Sequence, residues 1–159
     1  MVKEFSDPHE RRKQKQIQQS QNYSEKLPSE VSEIHWIYAC RQVGFYPEST
    51  PQSGKWLVFV PNEQVDAIWR KIKKSTEKGE LGDCSKVSTK KPLKITKDHT
   101  QKVICVYTYD WTDQADVMRI RENLREIGIT QKIVYKTNED TLKGRYVWKG
   151  DTNIHKYFL

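Results

Sequence analysis

The chain's 159 residues are enough for one domain with a packed core, and 35% hydrophobic with 11% aromatic residues is too rich in large rings for a disordered chain. The longest apolar run, WLVFV at 56–60, falls far short of the roughly 20 residues a bilayer span needs, and the N-terminus is polar, so a cytoplasmic protein without a membrane partner is expected. Cys40, Cys84 and Cys105 form no CxxC pair and have no histidine at ligand spacing, which argues against a zinc site or a disulfide framework. GxxxxGK[ST], GxGxxG and GxSxG are all absent, so neither a cofactor nor a metal is expected, and phosphate chemistry must use another device.

The formal charge of +7 is unevenly placed: residues 70–102 hold eleven Lys and Arg against four Asp and Glu, a stretch that alone carries +7. Such a stretch attracts polyanions or phosphorylated ligands, RNA among them, although a charged helix surface is commonly no more than a solvated face.

In chain order, residues 1–28 read as a mobile polar tail, Gln-rich and basic at Arg11, Arg12 and Lys13, with little to bury. A single α+β domain is expected over 29–159. Val31, Ile34, Ile37 and Tyr38 follow helical spacing up to Gly44, which predicts a first helix over 29–44. The run KWLVFV at 55–60, bounded by Gly54 and Pro61, predicts a strand. Asn62 can cap a helix whose Val65, Ile68, Trp69 and Ile72 make one buried stripe, ending at Gly79. A short strand at 85–89 and a basic loop at 90–102 follow. The run VICVYTY at 103–109 predicts a central strand, with Val103, Cys105, Tyr107 and Tyr109 on one face. Thr112 or Asp113 can cap a helix carrying Val117, Ile120, Leu124 and Ile127, closed by Gly128. Strands are expected at 132–136, 145–148 and 154–158, with a capped turn at 137–140. This order fits an α+β fold with helices against a largely antiparallel sheet, and leaves helices on both faces open.

Candidate groups gather where strands end. Lys86 and Ser88 share a strand face, so an ammonium and a hydroxyl can meet one phosphate, with Thr89 beside them; the alternative is an edge strand guarded by lysines. Tyr109, Asp110 and Trp111 end the central strand, where Asp110 either accepts from a ligand or caps the next helix and Trp111 offers a ring. Lys136 and Arg145 bracket a turn as a phosphate clamp near Tyr146, or form a charged hairpin. Trp36, Trp111 and Trp148 are the candidate stacking surfaces, and no histidine stands in a catalytic motif.

KVST at 86–89, VICVYTYDWTD at 103–113 and YKTNEDTLKGRY at 135–146 together resemble the basophilic-leukaemia-expressed protein family, over about 54–158 and outside the tail and first helix. Bacterial members are labelled phosphothreonine lyase domain proteins. The resemblance implies a fold like that of the messenger-RNA cap-binding initiation factor, a curved antiparallel sheet backed by helices. It also implies a carbon–oxygen lyase activity, with Lys86 or Lys136 as the candidate base, although the Lys-Phe-His-Ile motif of true lyases is absent. The resulting expectation is a phosphorylated ligand, nucleotide-like or phosphopeptide, held by Lys86, Ser88, Thr89, Lys136, Arg145, Tyr109, Asp110, Trp111 and Tyr146. Phosphothreonine elimination and nonspecific nucleic-acid binding through 70–102 are the alternatives.

Overall fold

A computed structural model describes residues 7–93, 99–142 and 155–159. Its centre is an open sheet of β1 (Trp36–Cys40), β2 (Gly54–Pro61), β3 (Cys84–Ser88), β4 (Gln101–Thr108), β5 (Val134–Thr137) and β6 (His155–Phe158). The strands lie in the order β1-β3-β4-β2-β5-β6, and every pairing is antiparallel. The helices are α1 (Pro8–Ser20), α2 (Val65–Glu77), α3 (Gln114–Glu126) and the single turn α4 (Asn138–Leu142). This is the expected α+β architecture.

One face of the sheet is apolar. Ile37, Ala39, Trp56, Val58, Val87, Ile104 and Val106 pack there with Val65, Trp69 and Ile72 of α2 and Val117, Ile120 and Leu124 of α3. Both helical stripes therefore bury as their spacing dictates, and each fully buried large side chain contributes about 1.5–3 kcal/mol. Asp113 caps α3 by accepting from the Asp116 amide at 3.2 Å. Between Pro61 and α2 the chain first makes a short 3-10 turn, Asn62–Gln64, so Asn62 precedes the helix start by three residues.

The opposite face carries Trp36, Tyr38, Cys84, Cys105, Tyr107 and Leu57, and α1 lies against it through Ile17. Helices therefore cover both faces.

Several local expectations are corrected. Residues 8–20, taken for part of a mobile tail, form α1, because Asp7 caps it and its buried residues, His9, Glu10, Lys13 and Ser20, find polar partners or packing on the sheet. The helix expected over 29–44 is instead a 3-10 turn, Pro28–Glu30, followed by β1. There Trp36, Tyr38 and Cys40 alternate with Ile37 and Ala39, so the apolar residues serve two faces of a strand that pairs with β3. The central strand ends at Thr108, which leaves Tyr109 beyond it. The strand expected over 132–136 is Val134–Thr137, and the turn after it closes into α4. The strand expected over 145–148 lies outside the described residues.

Candidate ligand-binding face

Residues opposite one another on neighbouring antiparallel strands share a face, which resolves the α1 side of the sheet into rows. The first row runs Trp36–Ser88 and Val103–Phe59, the second Tyr38–Lys86–Cys105–Leu57, and the third Tyr107–Lys55–Lys136. Successive rows are two residues apart, so the first and third are separated by roughly 13 Å. The first row is open: Phe59 is 50% exposed, and a groove of about 80 Å³ beside it is lined by Ser88, Thr89, Lys91, His99 and Lys102 among others. The third row is closed by α1.

The lysines of this face are unlike surface lysines. Lys55 is 4% exposed and donates to Asn138 Oδ1 at 3.0 Å and Thr141 Oγ1 at 2.7 Å, both uncharged acceptors. The Lys86 ammonium sits 3.8 Å from the centre of the Trp36 ring, with the rings of Tyr38 and Tyr107 at 5.8 and 5.9 Å. Among the described residues no carboxylate pairs with either. Lys136, 5% exposed, is Lys55's cross-strand partner.

Burial lowers the Lys55 pKa to about 7, and the neighbouring Lys86, Lys136 and Lys13 add to the shift against Cys105. Burial likewise brings Lys86 to about 8, with Lys13 and Arg12 adding to it against Cys105 and Cys84. The carboxylates near this face serve another cation. Lys13 of α1 reaches Asp83 Oδ2 at 3.1 Å and Glu10 Oε1 at 3.8 Å. Its ammonium also stands 4.3 Å from the Tyr107 ring centre.

Further along α1, the Tyr38 hydroxyl donates to Gln16 Oε1 at 2.7 Å, and the Tyr38 amide donates to Ser20 Oγ at 3.3 Å. At the other end His9 meets the Tyr107 ring edge-on at 5.9 Å between centroids. Burial first, then Lys55, Lys86, Lys13 and Arg12, drive the His9 pKa down to about 2.

The structure thus brings Lys86 and Lys136 onto one face with Lys55. Ser88 and Thr89 line the groove at its open end, although their hydroxyls are already used: Ser88 Oγ accepts from the Val103 amide at 3.0 Å, and Thr89 donates to the Ile34 carbonyl. Tyr109, Asp110 and Trp111 are engaged elsewhere. Tyr109 donates to Asp113 and stacks edge-on with Tyr46, Asp110 accepts from Thr50 and Thr112, and Trp111 packs on the α2–α3 core beneath Lys156. Asp110 here orders the turn into α3. Arg145, Tyr146 and Trp148 lie outside the described residues. The basic stretch also divides, because Arg70, Lys71, Lys74 and Lys78 are exposed on or just beyond α2, while Lys86 faces the other side of the sheet.

Lys55 and His9 were not singled out from sequence. A charged residue opening an apolar strand marks Lys55 in retrospect. His9 has no comparable signal, because its helix buries a polar surface.

The sequence profile of the family described as basophilic leukemia-expressed protein Bles03 matches residues 3–141. The chain belongs to this family. The match takes in α1 and β1 of this Bles03-family chain, which a resemblance confined to 54–158 leaves out. Schistosome eIF4E complexed with m7GpppA and 4E-BP is similar in fold, with a TM-score of 0.53 and 14% identity over 68% of this chain and 59% of that one. The schistosome complex with m7GpppG and 4E-BP gives a TM-score of 0.52, again at 14% identity over 68% and 59%. Ascaris suum eIF4E-3 with an m2,2,7G cap has a TM-score of 0.47 and 16% identity. The Bles03-family chain spans 59% of the length of the schistosome proteins, and identity at this level speaks to fold alone. Among the described residues no helix is long and apolar enough to cross a membrane, and no three His, Cys, Asp or Glu side chains are grouped to hold a metal ion.

Proposed function

We propose that the sheet face shared by Trp36, Phe59, Lys55, Lys86 and Lys136 binds a phosphorylated, nucleotide-like ligand. The observation that carries this reading is the pairing of the lysines: Lys55 and Lys86 are held by neutral acceptors and aromatic rings and by no carboxylate among the described residues. A buried cation without a counter-charge is costly, and an oxyanion is the chemistry that offsets it. From the open aromatic row it is roughly 7 Å to Lys86 and roughly 13 Å to Lys55, which suits a base stacked at Phe59 with its phosphates at Lys86 and Lys55. The cap analogues held by the eIF4E proteins of similar fold are phosphorylated nucleotides, which supports the same ligand class.

A thermal-shift panel at low and high salt tests this with m7GpppG, GTP, a phosphothreonine peptide and a short RNA. A nucleotide at a hundred times its dissociation constant adds about 2.7 kcal/mol. The expected result is a shift with m7GpppG or GTP that persists in high salt and is lost in Lys86→Met. A response to RNA alone that disappears with salt would instead assign binding to the exposed cations of α2 and to Lys90 and Lys91.

One observation favours a second reading. An amine with a pKa near 7, as at Lys55, is suited to take an α-proton. Phosphate released from the phosphothreonine peptide, with loss of that release in Lys55→Met, would establish elimination; intact peptide excludes it.

A further inference from the structure

The contact between α1 and the sheet contains an arrangement that packing does not explain. His9 is 5% exposed and Tyr107 1%, yet His9 Nδ1 and the Tyr107 hydroxyl are buried without a hydrogen-bond partner. The Tyr38 hydroxyl, whose own hydrogen goes to Gln16, faces that of Tyr107 as an acceptor but outside hydrogen-bond geometry. Around the Tyr107 ring stand the His9 ring at 5.9 Å, the Lys13 ammonium at 4.3 Å and the Lys86 ammonium at 5.9 Å from its centre, and Lys55 is its cross-strand partner.

A phenylalanine at either position would fill the same space without leaving a polar atom unsatisfied. Glu10, the carboxylate on this side of α1, also has a buried Oε1 without a hydrogen bond, but its charge lies 3.8 Å from Lys13. The surplus around Tyr107 and His9 is therefore of positive charge, with the Tyr107 hydroxyl as an unused donor. That combination accepts an oxyanion.

We infer that His9 and the Tyr107 hydroxyl, together with Lys55 and Lys86, form an oxyanion subsite walled by α1, where the phosphate end of the ligand is held. The inference rests on the phosphorylated-ligand reading above and assigns to α1 a part in binding. The Tyr107 hydroxyl donates to a phosphate oxygen. The His9 imidazole, kept neutral by burial first and then by the cations around it, is drawn toward its protonated, donating form as the bound anion offsets those cations. Each residue holds the ligand at the expense of the ligand-free fold, since its polar atom gains a partner only when an anion is bound.

The test uses the full chain, inorganic pyrophosphate as probe, and four proteins: wild type, His9→Phe, Tyr107→Phe and Lys86→Met. His9→Phe and Tyr107→Phe are each expected to raise the ligand-free melting midpoint by about 2–4 °C, since an unsatisfied buried group is removed. Both are expected to weaken pyrophosphate binding in titration calorimetry by about tenfold or more, the loss of a hydrogen bond to a charged group. Tyr107→Phe deletes one oxygen and no packing, so it keeps the test decisive if the change at His9 disturbs α1. Binding that survives both ring substitutions but is lost in Lys86→Met overturns the inference and leaves the phosphate-binding reading standing. Pyrophosphate binding that is unchanged in all three variants, or absent in wild type, overturns both.

Discussion

The cations packed against this sheet differ in what each nitrogen touches. Arg121 is fully buried and donates to three backbone carbonyls, of Leu159, Ile129 and Gln131, at 3.0, 2.9 and 2.8 Å. It ties α3 to the chain's C-terminal residue. Arg121→Met takes this donor from the Ile129 and Gln131 carbonyls, while Leu159 O keeps the Ile133 amide, and is expected to lower the unfolding free energy by about 3 kcal/mol, measured by urea denaturation. Among the described residues the Lys86 ammonium is held by aromatic rings and by no carboxylate, so Lys86→Met, which keeps the stem's packing, is expected to stay within about 1 kcal/mol of wild type or exceed it. Gly54 shows a third constraint. A Cβ there would clash with the Tyr135 hydroxyl, which is itself bonded to Thr108 Oγ1 at 2.6 Å in the core. Gly54→Ala must push that ring aside, at an expected cost of about 1–3 kcal/mol in the same measurement.

Among the elements, α2 and α3 were legible in the sequence because hydrophobic spacing of 3.6 is what packing against an apolar sheet face requires. β4 was legible for the same reason in its own period. α1 was not, because the residues it buries are His9, Glu10, Lys13 and Ser20, and a polar helix on a polar face carries no hydrophobic periodicity. β1 was misread because Val31, Ile34 and Ile37 fall at helical spacing by coincidence, the first two in the connection between the 3-10 turn and the strand and the third inside it. The same limits decided the site. Lys86 and Lys136 could be named because they lie in segments that the sequence marks as strands, but Lys55 and His9 reach them only through pairing and tertiary contact. Asp110 accepts from Thr50 and Thr112, the turn-ordering role that the sequence left open beside ligand binding. The hold on α1 is electrostatic and local: Lys13 is nearly fully buried, while its partner Asp83 is 38% exposed. Asp83→Asn is expected to cost about 1–2 kcal/mol, reduced from a fully buried pair by that exposure, and to speed hydrogen exchange of the α1 amides.

Taken whole, the molecule is a sheet with two unlike faces, one sealed by hydrophobic helices and one lined by lysines under a polar helix. Its pH behaviour follows from the second face. Lys55 and Lys86 titrate near 7 and 8 when folded, against an ordinary 10.5, with Lys13, Lys136 and Cys105 facing them. Below pH 7 both are charged in the fold and their burial cost is fully present. As pH rises from 7 to 9 the unfolded chain holds more protons than the folded one, so ligand-free stability should rise. The Cys84 and Cys105 thiols, pushed up by burial, act in the opposite sense above about pH 9. Anion binding needs the charged lysines, so affinity for pyrophosphate should fall over the window in which stability rises. Calorimetry and thermal melts at pH 6.5, 7.5 and 8.5 would show the crossing, and parallel trends would contradict it.

The most direct test of the ligand's place is an NMR titration of the isotope-labelled chain with m7GpppG, following backbone amide shifts. The lysine face predicts saturable changes at residues 55, 86 and 136, with residues 71, 74 and 78 of the α2 region unmoved. Changes confined to the α2 region, or changes that never saturate, would contradict it.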